Sequence, residues 1–416
     1  MKKALILSYY FPPIGMGGTQ RIAGFVKHLP EFCWQPTVVT VKSIAYYAYD
    51  NDLLKEIGNA KIERTGSLDP LRLAAKFQRA PATATAPIST SVSKNLLLKV
   101  LNLFLVPDNK IPWYPFAYLR AKSLLRRTKF DAIISTGPPH STHLIAKRLS
   151  RKFRIPWIAD FRDTWANGDF QAKSTPLHSY LDAYLQKKVL RTASHITAVS
   201  EGLAQTLRAS VQRAKDDFTV ITNGYEEADF RLYKKPKDKC FDVVHVGAIG
   251  NFARPELAIR TFRLFVEDAL LSPQGAKLHF VGADISGELD QMVADAEMQE
   301  YIITTGYVPH HEAVKYLHKA DVLLYLVSGD PNAGFIPGKT FEYMAARKPV
   351  LAISDEIEGL QLLRKTGLVY RVASNDLPGA VNALKAAFIA HKKHEQLEPT
   401  DFDIQQFTRR NLMRKL

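Results

Sequence analysis

The sequence predicts an α/β protein of two tandem doubly wound domains, each a parallel sheet covered by helices. Three observations predict it. Short β-branched runs alternate with helical patterns, the alternation restarts after a charged stretch containing Pro236, and 416 residues with 46% hydrophobic content supply two cores better than one. The predicted first domain spans 1–228, a linker 229–239, and the second domain 240–390, with 391–416 as a helical segment packing back on the first domain. Two such domains would hold a ligand in a cleft between the carboxyl ends of their sheets.

Taken in order, Lys3 to Tyr10 reads as a buried strand running into FPPIGMGGTQR, Phe11 to Arg21, and a helix from about Thr19 to Leu29. In a strand, glycine loop and helix, Gly17 and Gly18 let backbone amides approach a phosphate, or they serve only a tight turn. Further strands are Thr37 to Val41, Ala132 to Ser135, Trp157 to Ala159, His195 to Val199 and Thr219 to Ile221. Residues 75–95, rich in Ala, Thr, Pro and Ser, read as a mobile surface loop. Lys94 to Val106, KNLLLKVLNLFLV, is too short to span a bilayer, but can lie in its interface or form a core helix.

The second domain's strands are Phe241 to Val246, Lys277 to Val281, Ile302 to Thr304, Val322 to Leu326 and Val350 to Ile353. Before the last comes PGKTFEYMAARKPVLA, Pro337 to Ala352. Thr340 as cap, Phe341, Met344 and Ala345 on one face, and Arg347, Lys348 and Pro349 as a stop make a helix with Glu342 in its first turn. The loop of Gly334, Phe335, Ile336, Pro337 and Gly338, with that positive helix end, would attract a diphosphate while Glu342 accepts hydrogen bonds from ribose. Glu342 is otherwise a helix-start acid that stabilises the dipole.

The net charge of +15 points to an anionic partner. Arg120, Lys122, Arg126, Arg127 and Lys129 crowd one helix, and Lys147, Arg148, Arg151, Lys152 and Arg154 another, which beside Lys94 to Val106 suggests a membrane surface. Nucleic acid is set aside, since no binding motif accompanies the charge. Cys33 and Cys240 are too few and too far apart for a disulfide framework or a cysteine metal site, which fits a reducing cytoplasm. A secretory signal and a transmembrane-length run are not expected, nor is a metal site, because no Asp-x-Asp pair follows a strand and no His or Cys cluster occurs.

On these segments, together with LVPDNKIPWYP, STGPPHSTHLIAKRL, IPWIADFRDTW, TAVSEGLA, VITNGYEEADF and HVGAIGNFARPE, the chain resembles a GT-B glycosyltransferase. The likeness is to family 4 enzymes of bacterial exopolysaccharide and lipopolysaccharide assembly, and it covers nearly the whole length. It implies two Rossmann-like domains facing a cleft, a nucleotide-sugar donor bound mainly by the second, UDP- or GDP-linked, an acceptor bound mainly by the first, and transfer with retention and no bound metal or other cofactor. It matches Glu342 to the ribose-binding Glu, Arg254, which follows Gly247, to the diphosphate-binding Arg, and Gly17 and Gly18 to the loop facing donor phosphate and sugar.

Three departures accompany the resemblance: Gly334 stands where the family has its first Glu, Ile259 where it has a Lys, and Arg162 where it often has a His. Lys339 would supply the missing cation, or is a solvated residue at a helix start. As the donor bond breaks, negative charge grows on the leaving oxygen, and Arg254, Lys339 and the helix start could stabilise it. The departing phosphate can itself take the acceptor proton, whereas a nucleophilic route needs carboxylates about 5 Å apart, for which Asp160 and Asp163 are the candidates. Asp160, Arg162 and Asp163 are expected on the acceptor side of the first domain, or as an internal ion pair. His140 contacts the acceptor or relays a proton, or is a polar turn residue.

The expected function is sugar transfer, of hexosyl or N-acetylhexosaminyl type, to a lipid-linked or polysaccharide acceptor at the cytoplasmic membrane face. Alternatives are a nucleotide-sugar isomerase or hydrolase and a non-catalytic nucleotide-sugar or glycan binding protein.

Overall fold

The computed structural model describes residues 1–15, 17–42, 48–70, 72, 105–165, 175–231, 240–250, 253–330, 334–395 and 397–416. The loop expected at 75–95, residues 94–104 and residues 232–239 of the expected linker lie outside them. The chain forms two compact units, Met1–Thr222 with Arg409–Leu416, and Asn223–Thr408.

The first unit runs β1 (Lys2–Leu7), α1 (Gly17–His28), β2 (Trp34–Val41), α2 (Asn51–Glu56), β3 (Lys61–Thr65), α3 (Tyr114–Arg127), β4 (Ala132–Gly137), α4 (Ser141–Phe153), β5 (Trp157–Phe161), α5 (Pro176–Leu190), β6 (His195–Ala198), α6 (Glu201–Ala209) and β7 (Phe218–Val220). Its sheet is parallel throughout, in the order β3-β2-β1-β4-β5-β6-β7. The central strands β1 and β4 are near-continuous apolar runs because helices cover both of their faces. One face packs Trp113, Trp157 and Phe161, and the other Ile22, Phe25 and Val26. β1 stops at Leu7 rather than Tyr10, and buried Tyr9 donates its hydroxyl to Asp69 at 2.6 Å. The helix expected from Thr19 opens at Gly17.

The second unit runs β8 (Phe241–Val246), α7 (Pro255–Asp268), β9 (Ala276–Val281), α8 (Leu289–Asp295), β10 (Ile302–Thr304), α9 (His310–Lys319), β11 (Val322–Val327), α10 (Lys339–Ala346), β12 (Val350–Ser354), α11 (Glu358–Arg364), β13 (Val369–Val372) and α12 (Leu377–Lys393). Its sheet is also parallel, in the order β10-β9-β8-β11-β12-β13.

The units divide differently from the expected domains. The first ends at Thr222 instead of 228, and Tyr225 belongs to the second, where its N–H donates to the Phe407 carbonyl at 3.2 Å. Residues 391–416 are not one helical segment. Phe407 stays in the second unit against Phe341, and only α13 (Arg409–Met413) returns to the first, where Leu412 and Met413 join the Ile22 and Val26 cluster. Among the described residues no helix is long and apolar enough to cross a membrane.

Candidate functional site

Each sheet reverses its winding once, between β1 and β4 in the first unit and between β8 and β11 in the second. At such a point the loops leaving two neighbouring strands diverge to opposite faces and open a crevice at the carboxyl ends, where ligands of these folds bind. The glycine loop follows β1, the Gly137–His140 turn follows β4, Gly247 follows β8, and α10 follows β11.

In the second unit, Gly247 is held at φ +138, where a side chain is strained, and a Cβ there would lie 3.5 Å from Lys339 Nζ. Lys339 is the first residue of α10. Its half-buried amine donates to the Leu326 carbonyl at 3.1 Å and lies 3.4 Å from His245 Nε2. Burial pushes the amine down to about 7, because the charged form loses water and gains no carboxylate. Burial, and then the charge of Lys339, hold His245 well below its ordinary value, with the Leu324 carbonyl opposing.

α10 is pinned here by Tyr343, whose hydroxyl accepts from the Val246 N–H at 2.9 Å and donates to the Leu324 carbonyl at 3.2 Å. Thr340 does not cap the helix. It is buried with its hydroxyl 2.9 Å from that of Tyr325, and Gly338, which stands before Lys339, offers no side chain, so the first N–H groups have no side-chain cap.

One turn into α10, the Glu342 carboxylate is 3.7 Å from His310 Nδ1, while His310 Nε2 bonds Asp229 at 2.9 Å. The Glu342 side chain keeps 12% exposure, enough to accept a hydrogen bond from a ligand hydroxyl. Ahead of it, Phe335 and Pro337 are half-buried, Ile336 is buried, and Gly334 sits at φ +64. In that left-handed conformation a Glu would be strained, which accounts for glycine where the resemblance calls for an acid. Arg254 stands exposed at the cap of α7, at the end of the loop leaving β8.

In the first unit, Arg162 clamps the switch point. Its guanidinium donates to the carbonyls of Gly18 and Pro138, and to that of Gly137 at 3.3 Å, so it ties the start of α1 to the turn after β4. Gly17 opens the same helix turn. A Cβ on Gly18 would lie 2.6 Å from Arg162 Nη1, so a larger residue there would have to displace the guanidinium. Asp163 is half-buried beside it, where burial raises its carboxyl and the Arg162 charge pulls it down.

Asp160 is not an acceptor-side loop residue. It lies in β5 at 0% exposure, and its oxygens accept from Arg21 at 2.7 and 3.2 Å, Thr136 at 2.8 Å and Thr197 at 2.7 Å. Burial alone would raise this carboxyl, but the Arg21 charge and these hydrogen bonds hold it below the ordinary range. The internal ion pair is therefore present with Arg21 of α1 as partner instead of Arg162. With its oxygens so engaged, Asp160 does not form a nucleophile pair with Asp163.

His140 is buried, its ring stacked on Trp165 at 4.8 Å, and its Nδ1 has no hydrogen-bond partner among the described residues. Burial first, and then the neighbouring His143 and the Arg162 charge, hold the His140 ring well below its ordinary value, and burial pushes His143 down to about 3. Ahead of it, Asp108 accepts from the Ser141 N–H at 2.8 Å and so occupies the start of α4.

Arg21, Asp108, Asp229, His245 and His310 were not singled out from the sequence. His245 alternates with core residues along FDVVHV, and Asp229 meets His310 only through the fold, so no local pattern marks either. Among the described residues no group of three or more His, Cys, Asp or Glu could hold a metal ion.

Comparison with known proteins gives the family and the fold. Residues 16–224 match the glycosyl transferase 4-like domain, and residues 241–387 match glycosyl transferases group 1. Anabaena HepE in complex with UDP-glucose superposes with a TM-score of 0.63 at 14% identity, covering 100% of this chain and 98% of that one. Sucrose-phosphate synthase from Thermosynechococcus elongatus gives 0.60 at 14% identity, with 100% and 95% covered. The lipopolysaccharide outer core galactosyltransferase WaaB, in its apo form, gives 0.55 at 15% identity, with 100% and 98% covered. No curated protein matches the sequence. At these identities the superpositions show the fold, while the family models show the family.

Proposed function

We propose a function from the premise that this chain belongs to the glycosyltransferases, its first half of the glycosyl transferase 4-like family and its second a group 1 glycosyltransferase domain. It moves a sugar from a nucleoside diphosphate donor held by the second unit to an acceptor bound by the first. The observation that carries this is the second switch point, where the Lys339 amine lies beside bare Gly247 and one helix turn from Glu342.

The donor diphosphate lies against Gly247 and the uncapped start of α10, where Lys339 and Arg254 meet the charge that grows on the leaving oxygen. Ribose hydroxyls donate to Glu342, which His310 and Asp229 orient. Transfer is of hexosyl or N-acetylhexosaminyl type and retains configuration. The departing phosphate takes the acceptor proton, a route supported by the engagement of Asp160 in its ion pair, which leaves it no nucleophilic part. No metal or other cofactor of the protein's own enters. Arg162 holds the Gly17 and Gly18 loop in shape, and His140 lines the same switch point as a neutral relay. The HepE complex with UDP-glucose supports a UDP-linked donor.

The acceptor is lipid-linked or a growing glycan of the cell surface, met by a protein peripheral on the inner membrane face. Exposed Leu177, Tyr180 and Tyr184 support that placement, as do Lys188 at 4.1 Å over the Tyr184 ring and exposed Arg126, Arg127, Arg151 and Lys152.

The test incubates the protein with labelled UDP- and GDP-sugars and a bacterial lipid extract. Label moving into the organic phase, with its anomeric configuration kept in the NMR spectrum of the product, supports the proposal. Conversion of the free nucleotide sugar without acceptor would point to an isomerase or hydrolase, and binding without turnover to a binding protein.

A further inference from the structure

The polar groups that face the Lys339 amine among the described residues are one base, His245, and one carbonyl, that of Leu326. His245 Nδ1 lies 2.9 Å from the Leu324 carbonyl, which can only accept, so Nδ1 carries the ring proton and Nε2 presents its lone pair. That lone pair faces Lys339 Nζ at 3.4 Å, with the Leu326 carbonyl at 3.1 Å as the second acceptor. From β11 the Tyr325 ring also faces the amine, 5.8 Å from its centroid, with its phenol engaged by Thr340. On α10 the nearest acid in sequence, Glu342, turns to His310 of α9. Among the described residues, therefore, no carboxylate pairs with the amine. A partly buried cation without a counter-charge is relieved when it loses its proton or when an anion arrives.

Resting on the donor site proposed above, we infer that Lys339 and His245 form a proton-balanced pair, in which arrival of the donor's diphosphate draws a proton onto the Lys339 amine and His245 acts as a positioning residue through its Nε2 lone pair. Burial sets the empty site up for this, since an amine pushed down to about 7 is about half protonated at neutral pH. The bound anion raises that value, so uptake is small at about pH 5, about half a proton at pH 7 and close to one at about pH 8.

The experiment is calorimetric titration of the full chain with UDP-glucose and with GDP-mannose, whose diphosphates carry no titrating proton in this range, in buffers of different ionisation enthalpy. The slope of observed enthalpy against buffer enthalpy gives the protons taken up. Lys339→Arg, permanently charged, is expected to bind with uptake near zero. His245→Phe removes the acceptor, so uptake at neutral pH rises towards one and affinity falls roughly threefold to tenfold, whereas His245→Gln, with an amide oxygen for the lone pair, restores both. Binding with no buffer dependence at any pH, or the same uptake in Lys339→Arg, overturns the pair while leaving the donor site standing. If neither nucleotide sugar binds, the donor site itself fails, and the pair is decided by NMR of carbon-13-labelled lysine. A Lys339 signal, assigned by its loss in Lys339→Arg, that titrates near pH 7 supports the pair, and one that titrates near the ordinary lysine value of about 10.4 overturns it.

Discussion

Replacing Arg21 with Leu tests whether Asp160 is a brace or a working residue. The substitution leaves the fully buried carboxylate with Thr136 and Thr197 alone. Removing one partner of a buried ion pair costs about 3–5 kcal/mol, and a domain of this size loses roughly 2–4 °C of Tm per kcal/mol, so the melting point should fall by about 6–20 °C. In the parent, the folded value of Asp160 lies below the unfolded value of about 3.9, so its contribution is complete above that pH and is lost as pH falls through the folded value. In the variant only the Thr136 and Thr197 hydrogen bonds oppose burial, the folded value rises above the unfolded one, and the destabilisation is present at neutral pH and vanishes in acid. The gap between parent and variant is therefore widest near neutrality, narrows as the variant's carboxyl takes up its proton, and closes only below about pH 3.9, as the parent's folded carboxylate is protonated in turn. Urea melts followed by tryptophan fluorescence measure it in the right place, because all four tryptophans, Trp34, Trp113, Trp157 and Trp165, lie in the first unit. Adding Asp160→Asn should recover part of the loss. An unchanged melt with abolished transfer would refute the brace and return Asp160 and Arg21 to the substrate.

Other substitutions probe the remaining parts. Gly18→Ala places a methyl against the Arg162 guanidinium and should cost about 1–3 kcal/mol in the same melts, whereas an unaltered midpoint would mean that the clamp yields freely. Arg254→Ala should lower kcat by roughly ten- to a hundredfold and change nucleotide affinity less, if its charge acts mainly on the leaving group; steady-state kinetics beside titration separates the two. Tyr180→Ser with Leu177→Ser should weaken sedimentation with anionic vesicles, and added salt should weaken it further. Vesicle binding indifferent to both would remove the face of α5 from membrane contact.

The sheets were legible because central parallel strands are covered on both faces and read as apolar runs, as in Ala4–Leu7 and Val322–Val327. The edge strands β3 and β13 escaped because KIERT and VYRV expose polar side chains, so no such run marks them. At the site, the glycine loop and α10 stood out from spacing alone. The partners did not, since His245, His310 and Asp229 become neighbours of Lys339 and Glu342 only through crossover connections. Asp160 was misplaced because ADFRDTW reads as a loop after Ala159, while β5 continues through Phe161 and aims that carboxylate at α1. Spacing cannot say which of two nearby arginines a buried acid will find.

Whether the start of α10 holds a nucleoside diphosphate is decided by calorimetric titration of the protein and of Glu342→Ala with UDP, GDP, ADP and dTDP, without and then with magnesium. Metal-free binding of one nucleotide is expected, weakened roughly ten- to a hundredfold in the variant by the loss of about 1.5–3 kcal/mol of charge-assisted hydrogen bonding. Binding of equal strength in both proteins, or none in either, would contradict it.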